Sequence, residues 1–146
     1  MDFFAITSEM SGKALTASNQ VGQYGENPII VWDYKSLDSQ LWFWDGDDVI
    51  RSKLHPNKVL DLDRRDPSYP RSGYAMSKND WGPVSIYPHY HGGENERWKV
   101  VGKEIVSDYK NLRLDVQYGN DHNGSSKERH INLEEHEHEE QTINLI

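Results

Sequence analysis

Ile6-Thr7-Ser8, Ile50-Arg51-Ser52 and Ile105-Val106-Ser107 are three readings of one phrase, I-x-S, and the fold follows from how the chain continues after each. Nine or ten residues on stands a second anchor: Leu15-Thr16, Leu60-Asp61 and Leu114-Asp115. Each unit then closes on a Q-x-W-like tripeptide: Gln40-Leu41-Trp42, Glu96-Arg97-Trp98 and Gln141-Thr142-Ile143. Self-similarity at a period of roughly forty to fifty residues marks a repeat architecture. With only three units available, the array is expected to close on itself rather than extend as an open stack.

Between these anchors the chain reads as β. Ile29–Trp32, Leu41–Trp44, Asp48–Ile50, Val59–Leu62, Val84–Tyr87, Trp98–Val101, Glu104–Val106 and Leu112–Val116 are short runs rich in β-branched and aromatic residues. Gly, Pro, Asn or Asp bounds each run, at the spacing of an all-β sandwich or barrel. Asp45-Gly46-Asp47 and Val101-Gly102-Lys103 read as tight hairpin turns joining one unit to the next. The stretch Leu133 to Leu145 is so rich in Glu that it reads as a solvated loop. Three units of about four strands each predict an all-β fold, a β-trefoil with a three-fold internal repeat. An irregular β-sandwich is the alternative that the repeat disfavours. The units are expected at about 1–47, 48–103 and 104–146 of one domain.

Composition narrows the function classes. At 146 residues the chain suits a single hydrophobic core. Only 35% of it is hydrophobic and the mean hydropathy is -0.89, so much of it must be solvated loop. Five Trp and eight Tyr compensate, because each aromatic buries a large area. Zero Cys means no disulfide framework and no thiolate metal site. The formal net charge of -8, with no basic cluster beyond Asp63-Arg64-Arg65-Asp66, argues against a nucleic-acid partner or an anionic membrane. The start Met1-Asp2-Phe3-Phe4 has neither a basic n-region nor a long apolar stretch. The expectation is a cytoplasmic chain, or one secreted without a signal peptide, with no membrane insertion.

The order I-x-S, G-K-x-L, aromatic and Q-x-W resembles the ricin B-chain-like (R-type) lectin family of β-trefoils. Phe3-Phe4-Ala5-Ile6-Thr7-Ser8-Glu9, Gly12-Lys13, Ile30-Val31-Trp32-Asp33, Gln40-Leu41-Trp42 and Val49-Ile50-Arg51-Ser52-Lys53-Leu54 carry the resemblance, with wording close to an earthworm galactose-binding lectin domain. It runs from Phe3 to about Val116 and thins towards the C-terminus. The family implies a non-catalytic domain that binds galactose- or N-acetylgalactosamine-containing glycans. It also implies that the Q-x-W tryptophans, Trp42 and Trp98, belong to the core, with Ile143 in the third place. The Gln of that motif is implied to brace the site, and Glu96 replaces it in the second unit.

A galactose site makes demands that hold for any protein. Sugar hydroxyls both donate and accept, and one face of the ring is apolar, so binding needs a flat platform plus a carboxylate and an amide on adjacent hydroxyls. The second unit has all the parts. By the resemblance, Asp61 is the carboxylate, Tyr87 the stacking aromatic and Asn95 the amide donor, with Glu96 beside them. In the loop His89-Tyr90-His91-Gly92-Gly93, His91 or Tyr90 is placed to touch ligand. The first unit is damaged: Thr16 replaces the carboxylate and Ser39 the amide, while Trp32 remains as a platform and Gln40 as the brace. The third keeps Asp115 and Gln141 but lacks an aromatic, which leaves His136 or His138 as the flat group.

Other chemistries find less support. His130-Ile131-Asn132-Leu133-Glu134-Glu135-His136-Glu137-His138-Glu139-Glu140 invites a metal, but alternating His and Glu in a polar stretch is better read as a solvated loop. Asp61-Leu62-Asp63 and Asp45-Gly46-Asp47-Asp48 lack the spacing of a calcium loop. No metal and no cofactor are expected. No G-x-S-x-G, P-loop or G-x-G-x-x-G is present, and no enzyme is expected. A single shallow sugar site binds weakly, on the order of millimolar, so avidity would need a second live unit or a homodimer. The competing class is a protein-interaction trefoil, a protease inhibitor or a cytoskeletal binder, using an exposed loop such as Arg64 to Tyr74.

Overall fold

Three repeats of one β-hairpin pattern have no face to bury alone, so they bury it against one another. The computed structural model describes residues 2–8, 11–22, 24–62, 84–116, 131–134 and 143–145, with 115–116 and the last two stretches described by backbone course. In the first unit the strands are β1 (Ile6–Ser8), β2 (Ala14–Ala17), β3 (Asn27–Trp32) and β4 (Trp42–Asp45). The second holds β5 (Val49–Ser52), β6 (Val59–Leu62), β7 (Val84–Tyr87) and β8 (Trp98–Val101). The third holds β9 (Glu104–Ser107), β10 (Arg113–Val116), β11 (Ile131–Glu134) and β12 (Ile143–Leu145). Two single 3-10 turns, η1 (Asp38–Gln40) and η2 (Glu94–Glu96), precede β4 and β8.

The strands close into a barrel carrying three hairpins. Phe4 and Trp42 exchange both backbone hydrogen bonds at 2.9 Å, which joins the start of β1 to β4. The hairpin β4–β5 follows, and Trp98 N donates to Asp48 O across 2.7 Å to bring in β8. β8 pairs with β9, β9 lies against β12, and β12 pairs antiparallel with β1, Ser8 opposite Ile143. The hairpins β2–β3, β6–β7 and β10–β11 meet over one end, with β3 paired to β7 through Asn27–Ile86 and Pro28–Ser85. Six barrel strands and three capping hairpins make a β-trefoil.

The repeat anchors explain the packing. Ile6, Ile50, Ile105, Leu15, Leu60 and Leu114 enter one core with Trp42 and Trp98, both tryptophans fully enclosed. Apolar burial at all these equivalent positions is the main driving force for closing the array. In the second and third units the serine of I-x-S braces the following turn: Ser52 Oγ accepts from His55 N at 3.1 Å, and Ser107 Oγ from Tyr109 N at 3.0 Å, whereas Ser8 Oγ in the first is buried without a partner. Such local side-chain bonds favour turns at strand ends.

One expectation is corrected. The stretch Leu133 to Leu145, read as a solvated loop, begins and ends in strands. Leu133 and Glu134 belong to β11 and face Leu114 and Arg113 of β10, while Ile143–Leu145 form β12 on β1. Strand formation there depends on partners supplied by distant segments, which outweigh weak local propensity. Among the described residues no helix is long and apolar enough to cross a membrane.

Candidate functional site

The β6–β7 hairpin of the second unit sets Asp61 opposite Ser85, two positions from Tyr87. Diagonal neighbours on one face of an antiparallel pair stand about 7–8 Å apart at Cα, so Asp61 and Tyr87 share a face. The turn η2 then carries Asn95 and Glu96 back under this hairpin. Asn95 Nδ2 donates to Asp61 Oδ1 at 3.2 Å and to Leu62 O at 2.9 Å. Both N–H groups of the amide are thereby spent, and Asn95 Oδ1 is a buried acceptor without a partner. The sequence suggested an amide donor; the fold leaves its carbonyl oxygen as the unclaimed group. Asp61 and Asn95 are buried, at 6% and 5% exposure.

Glu96 holds the loop in front of them. Its Oε1 accepts from His91 N at 2.8 Å and from Gly92 N at 3.2 Å, two adjacent amides on one oxygen. Gly93 lets the chain pass this point. A Cβ there would stand 2.5 Å from His91 Cε1 and 2.9 Å from Asn95 Oδ1, closer than real Cβ contacts allow. Gly93 and the Leu62 carbonyl are site components that residue-type reasoning passed over; the Gly92-Gly93 pair beside Asn95 was the available signal. His91 is half exposed, its Nδ1 accepting from Gly93 N at 3.0 Å and its Nε2 3.5 Å from Glu96 Oε1. Tyr87, half-buried, meets His89 edge-on with ring centroids 5.4 Å apart. Tyr90 is exposed and has the Arg51 guanidinium 5.9 Å from its ring centre.

The first unit repeats the brace without the carboxylate. Gln40 Oε1 accepts from Lys35 N at 2.8 Å, and its Nε2 donates to Asp33 O at 2.7 Å and Thr16 Oγ1 at 3.2 Å. Thr16 is buried and gives its own proton to Ala14 O at 3.0 Å, so its hydroxyl is consumed internally. Trp32 stands 38% exposed at the end of β3, a flat surface in a unit that carries Thr16 where the second unit has Asp61. In the third unit Asp115 lies on β10 opposite Asn132 of β11, and only its backbone is described. His136, His138 and Gln141 lie outside the described residues, as does the segment Arg64 to Tyr74.

No family model matches this chain, and no curated protein matches it either. Solved structures do. An earthworm R-type lectin C-half in complex with GalNAc superposes with a TM-score of 0.70 at 25% identity, covering 99% of this chain and 98% of that one. The chain has the β-trefoil fold of the ricin B-like lectins. A ricin B-like lectin of Macrolepiota procera, in complex with lactose, matches with a TM-score of 0.66 at 15% identity over 99% and 94% of the two chains. A designed three-fold symmetric protein, ThreeFoil, matches with a TM-score of 0.67 at 18% identity over 99% and 97%. In ricin B-like terms, η1 and η2 are the two described Q-x-W turns. Their tryptophans face the core while Gln40 and Glu96 face the capping hairpins.

Proposed function

We propose that this trefoil is a non-catalytic lectin that binds galactose- or N-acetylgalactosamine-type glycans through its second repeat. One observation carries the reading. Asp61 and Asn95, thirty-four residues apart, are hydrogen-bonded to each other under the hairpin that bears Tyr87. A carboxylate oriented by an amide, beside an aromatic, is the set that adjacent sugar hydroxyls and an apolar sugar face require. The GalNAc and lactose carried by two of the matching lectins support the same ligand class. The reading is tested by titrating the protein with lactose, N-acetylgalactosamine and glucose, followed by intrinsic fluorescence. Saturable binding of the first two and none of glucose is expected. Failure of both galactosides to bind a folded sample would move the assignment to a protein-interaction trefoil.

A further inference from the structure

Glu96 occupies the place that Gln40 has in the first repeat, and the exchange leaves a buried oxygen with nothing to hold. Gln40 uses both ends of its amide, accepting loop N–H groups at Oε1 and donating from Nε2 to Thr16 and Asp33. Glu96 reproduces the first half only: Oε1 takes the His91 and Gly92 amides. Its other oxygen, Oε2, is buried and has no hydrogen-bond partner, on a residue of 0% exposure. Where the first repeat offers the Thr16 hydroxyl, the second offers another carboxylate, Asp61. No Lys or Arg pairs with Glu96 among the described residues. A buried carboxyl oxygen without a partner calls for a cation or a donor.

We propose that Asp61, His91 and Glu96 form a site for a divalent transition-metal cation, with Zn²⁺ the best match. One ligand atom from each of the three residues lies within 4.8 Å of the other two. An imidazole nitrogen with two carboxylate oxygens is a zinc donor set, with metal–ligand bonds of about 2.0–2.2 Å. Two tetrahedral ligands at such bond lengths stand about 3.3–3.5 Å apart, and His91 Nε2 lies 3.5 Å from Glu96 Oε1, on the carboxylate whose other oxygen, Oε2, has no partner. Three protein ligands leave one coordination position open.

The ring of His91 registers the event. At present its Nδ1 accepts from Gly93 N, which places the ring proton on Nε2. A cation at Nε2 needs that nitrogen bare, so the proton moves to Nδ1 and the Gly93 amide exchanges this exposed bond for water. The site depends on this geometry and not on the sugar reading, although Asp61 would serve both ligands.

The test is a Zn²⁺ titration of the metal-free full chain, without sugar, followed by the amide nitrogen–proton NMR signals. Shifts at Gly92 and Gly93 that saturate at one equivalent are expected. Both Glu96→Gln and His91→Ala should weaken that response by at least about tenfold. Glu96→Gln should fold, since Gln40 fills the equivalent turn, and the dispersion of its amide signals checks this. Zinc held by the histidines at 130, 136 and 138 instead would give a response that neither variant weakens. Unmoved glycines, or an unchanged response in both variants, would overturn the proposal. A lactose titration of the chain in chelator reports separately on sugar binding, so failure of one reading is not mistaken for failure of the other.

Discussion

Asn95 Nδ2 reaches Asp61 Oδ1 across 3.2 Å, and the same nitrogen donates to Leu62 O, so one amide ties the turn η2 to two successive residues of β6. The bond orients the carboxylate and fixes the spacing between the 3-10 turn and the capping hairpin. Preorganised polar groups of this kind lower the cost of ordering a site when ligand arrives.

Asp61→Ala should abolish galactoside binding while leaving the fold intact. The variant leaves one buried Asn95 N–H unpaired, at a cost of about 1–3 kcal/mol of stability, while the other keeps its acceptor on Leu62. Isothermal titration with lactose and a urea unfolding curve measure the two effects. Retained lactose affinity in a folded Asp61→Ala sample would remove the second repeat from the site.

Trp32→Ala is expected to leave lactose binding nearly unchanged. Trp32 is exposed, but Thr16 stands where the first repeat would need a carboxylate, and its hydroxyl is spent on Ala14 O. A lactose titration of this variant would show a large loss only if the first repeat is live.

Glu96→Gln should stabilise the chain in metal-free buffer. Gln supplies a donor where Glu96 Oε2 has no partner, as Gln40 does in the first repeat. Satisfying one buried polar atom is worth about 1–3 kcal/mol, read as a higher midpoint in urea with an unchanged slope.

The two core tryptophans should respond differently to replacement by Phe. Trp98 Nε1 donates to Leu60 O at 2.9 Å, whereas Trp42 Nε1 has no partner. Trp98→Phe leaves a buried carbonyl unpaired and should cost about 1–3 kcal/mol more than Trp42→Phe. Parallel urea unfolding of the two variants checks the difference.

His55 makes stability depend on pH. Burial, reinforced by the nearby Lys58 ammonium, lowers its pKa from the ordinary 6.5. The folded state therefore holds the ring's proton less tightly than the unfolded chain does. Its contribution is fully present above 6.5 and is lost as pH falls through the lowered folded value. His55→Gln should flatten the stability profile just below pH 6.5, measured as thermal midpoints across a pH series.

Much of the fold was legible because its signals are local. Val59–Leu62, Val84–Tyr87 and Trp98–Val101 are strands with the bounds their composition suggested, since β-branched runs end at Gly, Pro, Asn or Asp. The threefold recurrence of I-x-S, the Leu anchor and Q-x-W carried the trefoil, because equivalent residues must fill equivalent places in one core. β11 and β12 were not legible, since three- and four-residue segments flanking a Glu-rich stretch become strands only where β10 and β1 offer an edge.

At the site, the sequence alone determined the parts: a carboxylate at 61, an aromatic at 87, an amide at 95 and a Glu in place of Gln at 96. Only the tertiary structure decided what those parts have left to offer. It spends both Asn95 N–H groups on β6, gives Glu96 Oε1 two loop amides, leaves Glu96 Oε2 buried without a partner, and brings the Glu96 carboxylate together with Asp61 and His91. The physical reason is that repeat spacing is written in nearby residues. Whether a buried donor or acceptor is satisfied depends also on groups distant along the chain, as for Asn95 and Asp61, 34 positions apart.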